Sequence, residues 1–204
     1  MRSFSTILLA TLGTSLAHAD GASEHRGFYL RMNAGPGFSS MRADDADLTL
    51  SGGGVGLSAA VGGALARNFI LFGEIFVHAM GDPNVDGASL DESTVEGAGV
   101  FGIGPGAAYY FVPLNLYVAG TLALTGASVD IKNEPDDPND EPRSTEAGIG
   151  LSLTVGKEWW LSANWGLGVA AQFFGARMND KDIAGGEATW RAGGFALMLS
   201  GTYN

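Results

Sequence analysis

A nucleophile-and-base site of the Ser–His–acid kind needs a positioned histidine, and the sequence holds three. His18 lies in an apolar leader and His25 in the N-terminal tail. His78 is the remaining candidate, with Ser89, Glu92 and Ser93 in the stretch beyond it. Many other polar residues share that stretch, and the ordinary reading of His78 is a polar group near one rim of a folded interior. No catalytic residue is assigned. The chain has no cysteine, which removes disulfides, thiolate metal sites and cysteine nucleophiles. The glycine runs 52–56 and 102–106 lack the Lys-Ser/Thr ending and the following helix of a phosphate loop. Glu134, Asp136, Asp137, Asp140 and Glu141 cluster among Pro135, Pro138 and Pro142. Clustered carboxylates can hold Ca²⁺. Their spacing matches no EF-hand, however, and the prolines favour an extended, solvated loop, so neither a metal nor a cofactor is expected.

Two further sets of polar residues point to structure and binding. Arg31 and Glu74, with Asn33, Tyr110, Tyr117 and Gln172, sit inside otherwise apolar, glycine-rich segments. If they meet, they form a buried ion-pair network, because an unpaired buried charge is costly. Arg177 and Arg191 flank a polar stretch. Arginines there can take the phosphates of a lipid headgroup, or can snorkel from apolar surface to water with no ligand at all.

Whether these groups meet depends on the segments that carry them. The organising signal is period two, the signature of strands. It runs through eight segments: 26–38, 53–66, 69–80, 96–111, 115–129, 145–157, 164–176 and 188–203. In the first, Phe28, Leu30, Met32 and Ala34 alternate with Tyr29, Arg31, Asn33 and Gly35. In the third, Phe69, Leu71, Ile75 and Val77 alternate with Phe72, Glu74, Phe76 and His78. Connections 39–52, 81–95, 130–144 and 177–187 are long, polar and hold most of the 22 acidic residues. Connections 66–68, 112–114 and 158–163 are short. The pattern predicts an all-β fold, an antiparallel up-and-down barrel of eight strands with its long loops at one end. Arg31 and Glu74 then share the inner face. Arg177 and Arg191 share the parity of the outer one.

The outer face is expected to meet lipid. Hydrophobic residues make up 46% of the chain and charged residues 16%, with 32 glycines. No apolar run reaches the ~18 residues of a membrane helix. A soluble barrel would turn its polar parity to water, but the non-apolar parity here is mostly Gly, Ala, Ser and Thr, which suits a crowded narrow lumen. The apolar parity carries no charge in mid-strand, where Lys or Arg would cost ~2–4 kcal/mol at the bilayer midplane. Phe28, Phe69, Tyr109, Phe111, Trp159, Trp160, Trp165 and Tyr203 gather at the short-turn end as an aromatic girdle would. The net charge of −11 argues against nucleic acid as a partner. Residues 1–19, with Arg2, an apolar stretch over 4–16 and Ala17-His18-Ala19, read as a secretory signal peptide. Residues 20–204 then form the barrel domain.

The stretches GIGPGAAYYFVPLNLYVAGTLALTGA, VGKEWWLSANWGLGVAAQFF and FALMLSGTY resemble the small outer-membrane β-barrel superfamily, with its OmpA-type and OmpX-type eight-stranded barrels. The last strand is similar to that group's C-terminal assembly signal, here ending on Tyr203, with Asn204 as a departure beyond it. The resemblance implies residence in the bacterial outer membrane, export through a cleaved signal peptide and folding by the barrel assembly machinery with periplasmic chaperones. It also implies contact with outer-membrane lipid and lipopolysaccharide. It says little about activity. The His-x-Ser pair of the lipid A deacylase barrels is missing, since Ala79 and Met80 follow His78. The expected function is a structural or interaction role, with acidic extracellular loops, a largely plugged lumen and no enzyme activity. A narrow pore or transport barrel for small or apolar solutes is the alternative, and a lipid-modifying enzyme a third reading.

Overall fold

The computed structural model describes residues 27–44, 48–86, 95–131, 143–180 and 188–204. Eight long strands run antiparallel in chain order: β1 (Phe28–Ala43), β2 (Leu48–Ala66), β3 (Phe69–Gly81), β4 (Val95–Phe111), β5 (Leu116–Ile131), β6 (Gly148–Trp160), β7 (Trp165–Asp180) and β8 (Ala188–Tyr203). Each pairs with its neighbours in sequence, and β1 closes the sheet on β8. Two short strands, Asn84–Asp86 and Arg143–Ser144, add to β2 and β5. The result is a closed up-and-down barrel with no free edge among the eight, so the long strands satisfy their backbone groups within the sheet, as lipid requires. At the short-turn end, Asn68 and Asn115 take left-handed conformations (φ 63° and 48°) that turn the chain tightly.

Alternation decides what each strand shows to the outside. Met32, Val61, Ile75, Ile103, Leu122, Leu151, Val169 and Leu197 project outward and are exposed. An apolar surface this continuous belongs in lipid. It lies between two aromatic rows. Phe28, Tyr109, Phe111, Trp159 and Trp165 are exposed at the short-turn end, where Tyr203 contacts both Phe28 (ring centroids 6.3 Å) and Trp165 (5.2 Å). Phe38, Phe195 and Phe173 stand opposite one another on β1, β8 and β7 in the second row. The rows are eight to ten residues apart along the strands. At ~3.3 Å per residue and a tilt of about 40°, that is roughly 20–25 Å, the height of an outer-membrane apolar band.

Several boundaries differ from expectation. The stretch 39–52, read as a polar loop, is mostly strand: β1 and β2 pair without a break from Phe28↔Gly63 to Ala43↔Leu48. The inward parity explains this, since Met41, Ala43, Leu48 and Leu50 continue it and are buried. β7 likewise runs to Asp180, past the expected end at 176. β6 is displaced by three residues, covering Gly148–Trp160 where 145–157 was expected. Its turn lies at 161–164, where the N–H groups of Leu161 and Ser162 both donate to the carbonyl of Trp165 (2.8 and 3.3 Å). Glu158, expected in that turn, is therefore inside a strand.

Two Gly-Pro-Gly triplets occupy strands on opposite sides of the barrel. Proline has no N–H to donate, and the ladder is broken beside each. Between β1 and β8 the pairing skips from Ala34↔Leu199 to Gly37↔Ala196, and between β4 and β5 from Ile103↔Leu124 to Gly106↔Thr121. Pro36 and Pro105 still pair on their other sides, with Val55 and Gly73. The neighbouring strand comes so close that a Cβ on Gly35 or Gly104 would lie about 2 Å from the carbonyl oxygen of Leu197 or Leu122. Glycine is required there by backbone approach, so the run 102–106 has a steric reason beyond flexibility.

Candidate functional site: the barrel interior and the outer arginines

Alternate strands of an eight-stranded barrel contribute side chains at similar heights, so polar groups on odd strands can converge. Glu74 on β3 is the centre of one such layer. Its carboxylate accepts from Arg31 Nη2 on β1 (3.5 Å), from Thr121 Oγ1 on β5 (2.6 Å) and from Gln172 Nε2 on β7 (3.5 Å). One carboxylate thus ties together the four odd strands. Gln172 passes the chain on: its Oε1 lies 3.1 Å from His78 Nε2, which makes Nε2 the protonated ring nitrogen. The His78 ring packs against Phe174 at 4.3 Å between centroids with the planes tilted by 39°, and its Nδ1 has no partner among the described residues.

Even strands build a second layer toward the short turns. Glu158 Oε1 on β6 accepts from Tyr110 on β4 (3.2 Å) and from Thr202 on β8 (2.5 Å). The hydroxyls of Tyr110 and Tyr29 lie 3.1 Å apart. Arg31, fully buried, joins the layers. Its guanidinium carbon sits 4.9 Å from the ring centre of Tyr117, 5.4 Å from Phe72 and 5.9 Å from Tyr29. An aromatic face attracts a desolvated cation by ~2 kcal/mol or more, less than the cost of leaving a buried charge without its counter-ion, so the rings supplement the carboxylate and do not replace it.

All six residues read from sequence as lumenal lie inside the barrel. Arg31, Glu74 and Gln172 share the odd-strand layer. Tyr117 covers Arg31 and approaches Ser200 Oγ at 3.5 Å, and Tyr110 belongs to the Glu158 layer. Asn33 bonds only locally, to Ser58 Oγ on the next strand (2.8 Å). Sequence reasoning placed Tyr29 and Thr121 on the inner parity without naming them in the network, and it missed Glu158. The parity of Gly148, Gly150, Ser152, Thr154 and Gly156 continues to Glu158 and was the available signal. Above His78 the interior changes character. Met41, Leu48, Leu50, Met80, Met178 and Trp190 form a buried apolar core at the long-loop end, in part from the stretches 39–52 and 177–187 that were expected to be polar loops.

Arg177 and Arg191 face outward and are exposed, and β1 places a third arginine, Arg42, beside them. Nε of Arg191 lies 2.8 Å from Asp44 Oδ2. The carboxylates Glu134, Asp136, Asp137, Asp140 and Glu141, and the leader 1–19, lie outside the described residues. No group of three or more His, Cys, Asp or Glu side chains that could hold a metal ion occurs among the described residues.

No protein-family model and no curated protein sequence matches the chain. Solved structures do. Neisserial surface protein A superposes with a TM-score of 0.56 at 16% identity, over 87% of this chain and 96% of that one. Ail, the attachment invasion locus protein of Yersinia pestis, gives 0.49 at 12% identity over 87% and 98%. OprG from Pseudomonas aeruginosa gives 0.45 at 14% over 90% and 98%. With its closed ring of eight antiparallel strands, the chain has the fold of the small outer-membrane β-barrels that its sequence resembles.

Proposed function

We propose that the chain is an integral protein of the bacterial outer membrane, exported through a signal peptide cleaved after Ala19. Both termini then lie on the periplasmic side and the long acidic loops outside. Its role is structural or interactive, exercised through the loops and the outer rim, with a lumen closed to solutes and no catalytic activity. The observation that carries this reading is the Glu74 cross-brace. A carboxylate bonded to three other strands spans the interior of a narrow barrel, and the apolar core above it supports a closed lumen. Among the described residues His78 has an amide partner and no carboxylate partner, and its ring packs at a tilt against Phe174, which supports the non-catalytic reading.

Planar-bilayer recording of the purified, refolded chain tests the proposal. No stable conductance steps are expected, and none should appear when the loops 81–95 and 130–144 are shortened. Stable steps that survive loop shortening would establish a pore and sink the closed-lumen reading. Lipid A profiles of cells expressing the chain and its His78→Ala variant should be identical.

A further inference from the structure

Of the six methionines, Met32 faces outward, whereas Met41, Met80, Met178 and Met198 face the lumen and are buried. Three of these four share one level. Met80, Ala127 and Met178 each lie six residues above a member of the Glu74 layer, namely Glu74, Thr121 and Gln172, on strands that run the same way. They therefore repeat that layer higher up. Register supplies the position on β1. Following paired residues around a tilted sheet climbs the wall by about two residues for every two strands. From Met80 the line runs through Ala98 to Val129, two residues above Ala127. From Met178 it runs through Trp190 to Ala43, two residues above Met41. The odd strands thus close a layer of three thioethers and one methyl group, and the Trp190 side chain packs in the same buried cluster.

His78 stands one inward step below Met80. Its Nε2–H is held by Gln172 Oε1, so the ring's lone pair is on Nδ1, which is buried and has no partner among the described residues. A metal-ligating imidazole is held in this way, with its other ring N–H given to a fixed acceptor. Met198 borders the same edge of the ring. Its Cε and His78 Cε1, the carbon bonded to Nδ1, lie 2.6 and 3.2 Å from the point where a Cβ on Gly56 would stand. An apolar plug needs no sulfur, since Leu or Ile fills similar volume with better-defined rotamers. The buried charges among the described residues are Arg31 against Glu74 and Glu158, which leaves the interior one negative charge in excess.

We infer that the upper lumen binds a soft monovalent cation, Cu(I) or Ag(I), through the thioethers of Met41, Met80 and Met178 and the Nδ1 of His78. Thioether sulfur selects Cu(I) over hard cations, and neutral imidazole suits copper. Methionine has three rotatable bonds and a polarisable sulfur, so the layer can close on an ion without moving the strands. The face of Trp190 adds attraction for a desolvated cation, and a single positive charge offsets the excess of the interior. The inference goes beyond the structural role proposed above. It rests on the packing of the lumen and does not require the outer-membrane placement.

The test uses the full barrel refolded in detergent micelles. It is titrated with silver nitrate in chloride-free buffer, and with Cu(I) kept reduced by ascorbate in competition with bathocuproine disulfonate. Native mass spectrometry should show one bound ion. Tryptophan fluorescence should fall in step with it, because Trp190 stands at the long-loop end and the other three tryptophans at the short turns. Met80→Leu/Met178→Leu, nearly constant in volume, and His78→Phe should each weaken binding by roughly ten- to a hundredfold or more. Met32→Leu, on the outer face, should bind as wild type does. Folding is checked by heat-modifiable gel mobility. The copper X-ray absorption edge of the wild-type complex should show sulfur neighbours, a readout that holds even where a variant fails to fold. The site is overturned if the folded chain binds neither ion, if the folded methionine variant binds as tightly as wild type, if Met32→Leu loses binding equally, or if the edge shows no sulfur.

Discussion

Removing Arg31, Glu74 or both should distinguish a dry, cross-braced interior from a hydrated one. Arg31 Nη2 lies 3.5 Å from Glu74. At that distance the attraction is about 5 kcal/mol for an effective dielectric near 20. Taking one partner of a buried pair away leaves the other charge uncompensated, which costs about 3–5 kcal/mol. The two single variants should not be equal. In Arg31→Met the carboxylate keeps two neutral donors, Thr121 and Gln172, which return about 1.5–3 kcal/mol each at most. In Glu74→Gln the guanidinium keeps the faces of Tyr117, Phe72 and Tyr29, which return about 1–2 kcal/mol. The double variant Arg31→Met/Glu74→Gln removes both charges at nearly constant volume and should lie within ~1 kcal/mol of wild type. Urea titration of the refolded protein in lipid vesicles, followed by tryptophan fluorescence, measures all four corners of the cycle. The expected order of loss is Glu74→Gln, then Arg31→Met, then the double variant. Single losses below ~1 kcal/mol that add in the double variant would refute the reasoning, because only solvent can stabilise each charge separately.

Other parts of the fold carry their own tests. Leu122→Arg, on the lipid face opposite Pro105, should cost about 2–4 kcal/mol in the same titration; a neutral result would place that face in water. Tyr110→Phe removes one donor from Glu158 and should cost about 1 kcal/mol, with conductance unchanged. Gly35→Ala and Gly104→Ala drive a methyl group into a neighbouring backbone carbonyl. Each should lower stability by roughly 1–3 kcal/mol or slow refolding, whereas Gly175→Ala, in open space, should not.

Much of the barrel could be read from the chain because a membrane barrel imposes one simple rule on every strand. Alternate residues meet lipid or lumen, so parity alone places Met32 outside and Arg31 inside, and the order of long and short connections follows. Strand ends were less legible. Past the lipid boundary the outward residues are free to be polar while the inward ones stay apolar. Segment 39–52 therefore looked like loop, although Met41, Ala43, Leu48 and Leu50 still point to a core.

Sequence by itself determined the fold class, the strand number, the face of each residue within the strands it recognised and the lumenal parity of the six polar groups first singled out. Tertiary structure decided which of them meet. Arg31 and Glu74 are 43 residues apart and Gln172 lies 98 residues beyond Glu74, so their convergence depends on closure and on the stagger of strands around the ring. The same stagger brought Arg42 beside Arg191 and Arg177, set three methionines at one level above His78, and drew Glu158 inside. Period two says which way a side chain faces. Only the register of a closed sheet says at what height it stands, and height is what turns separate residues into a site.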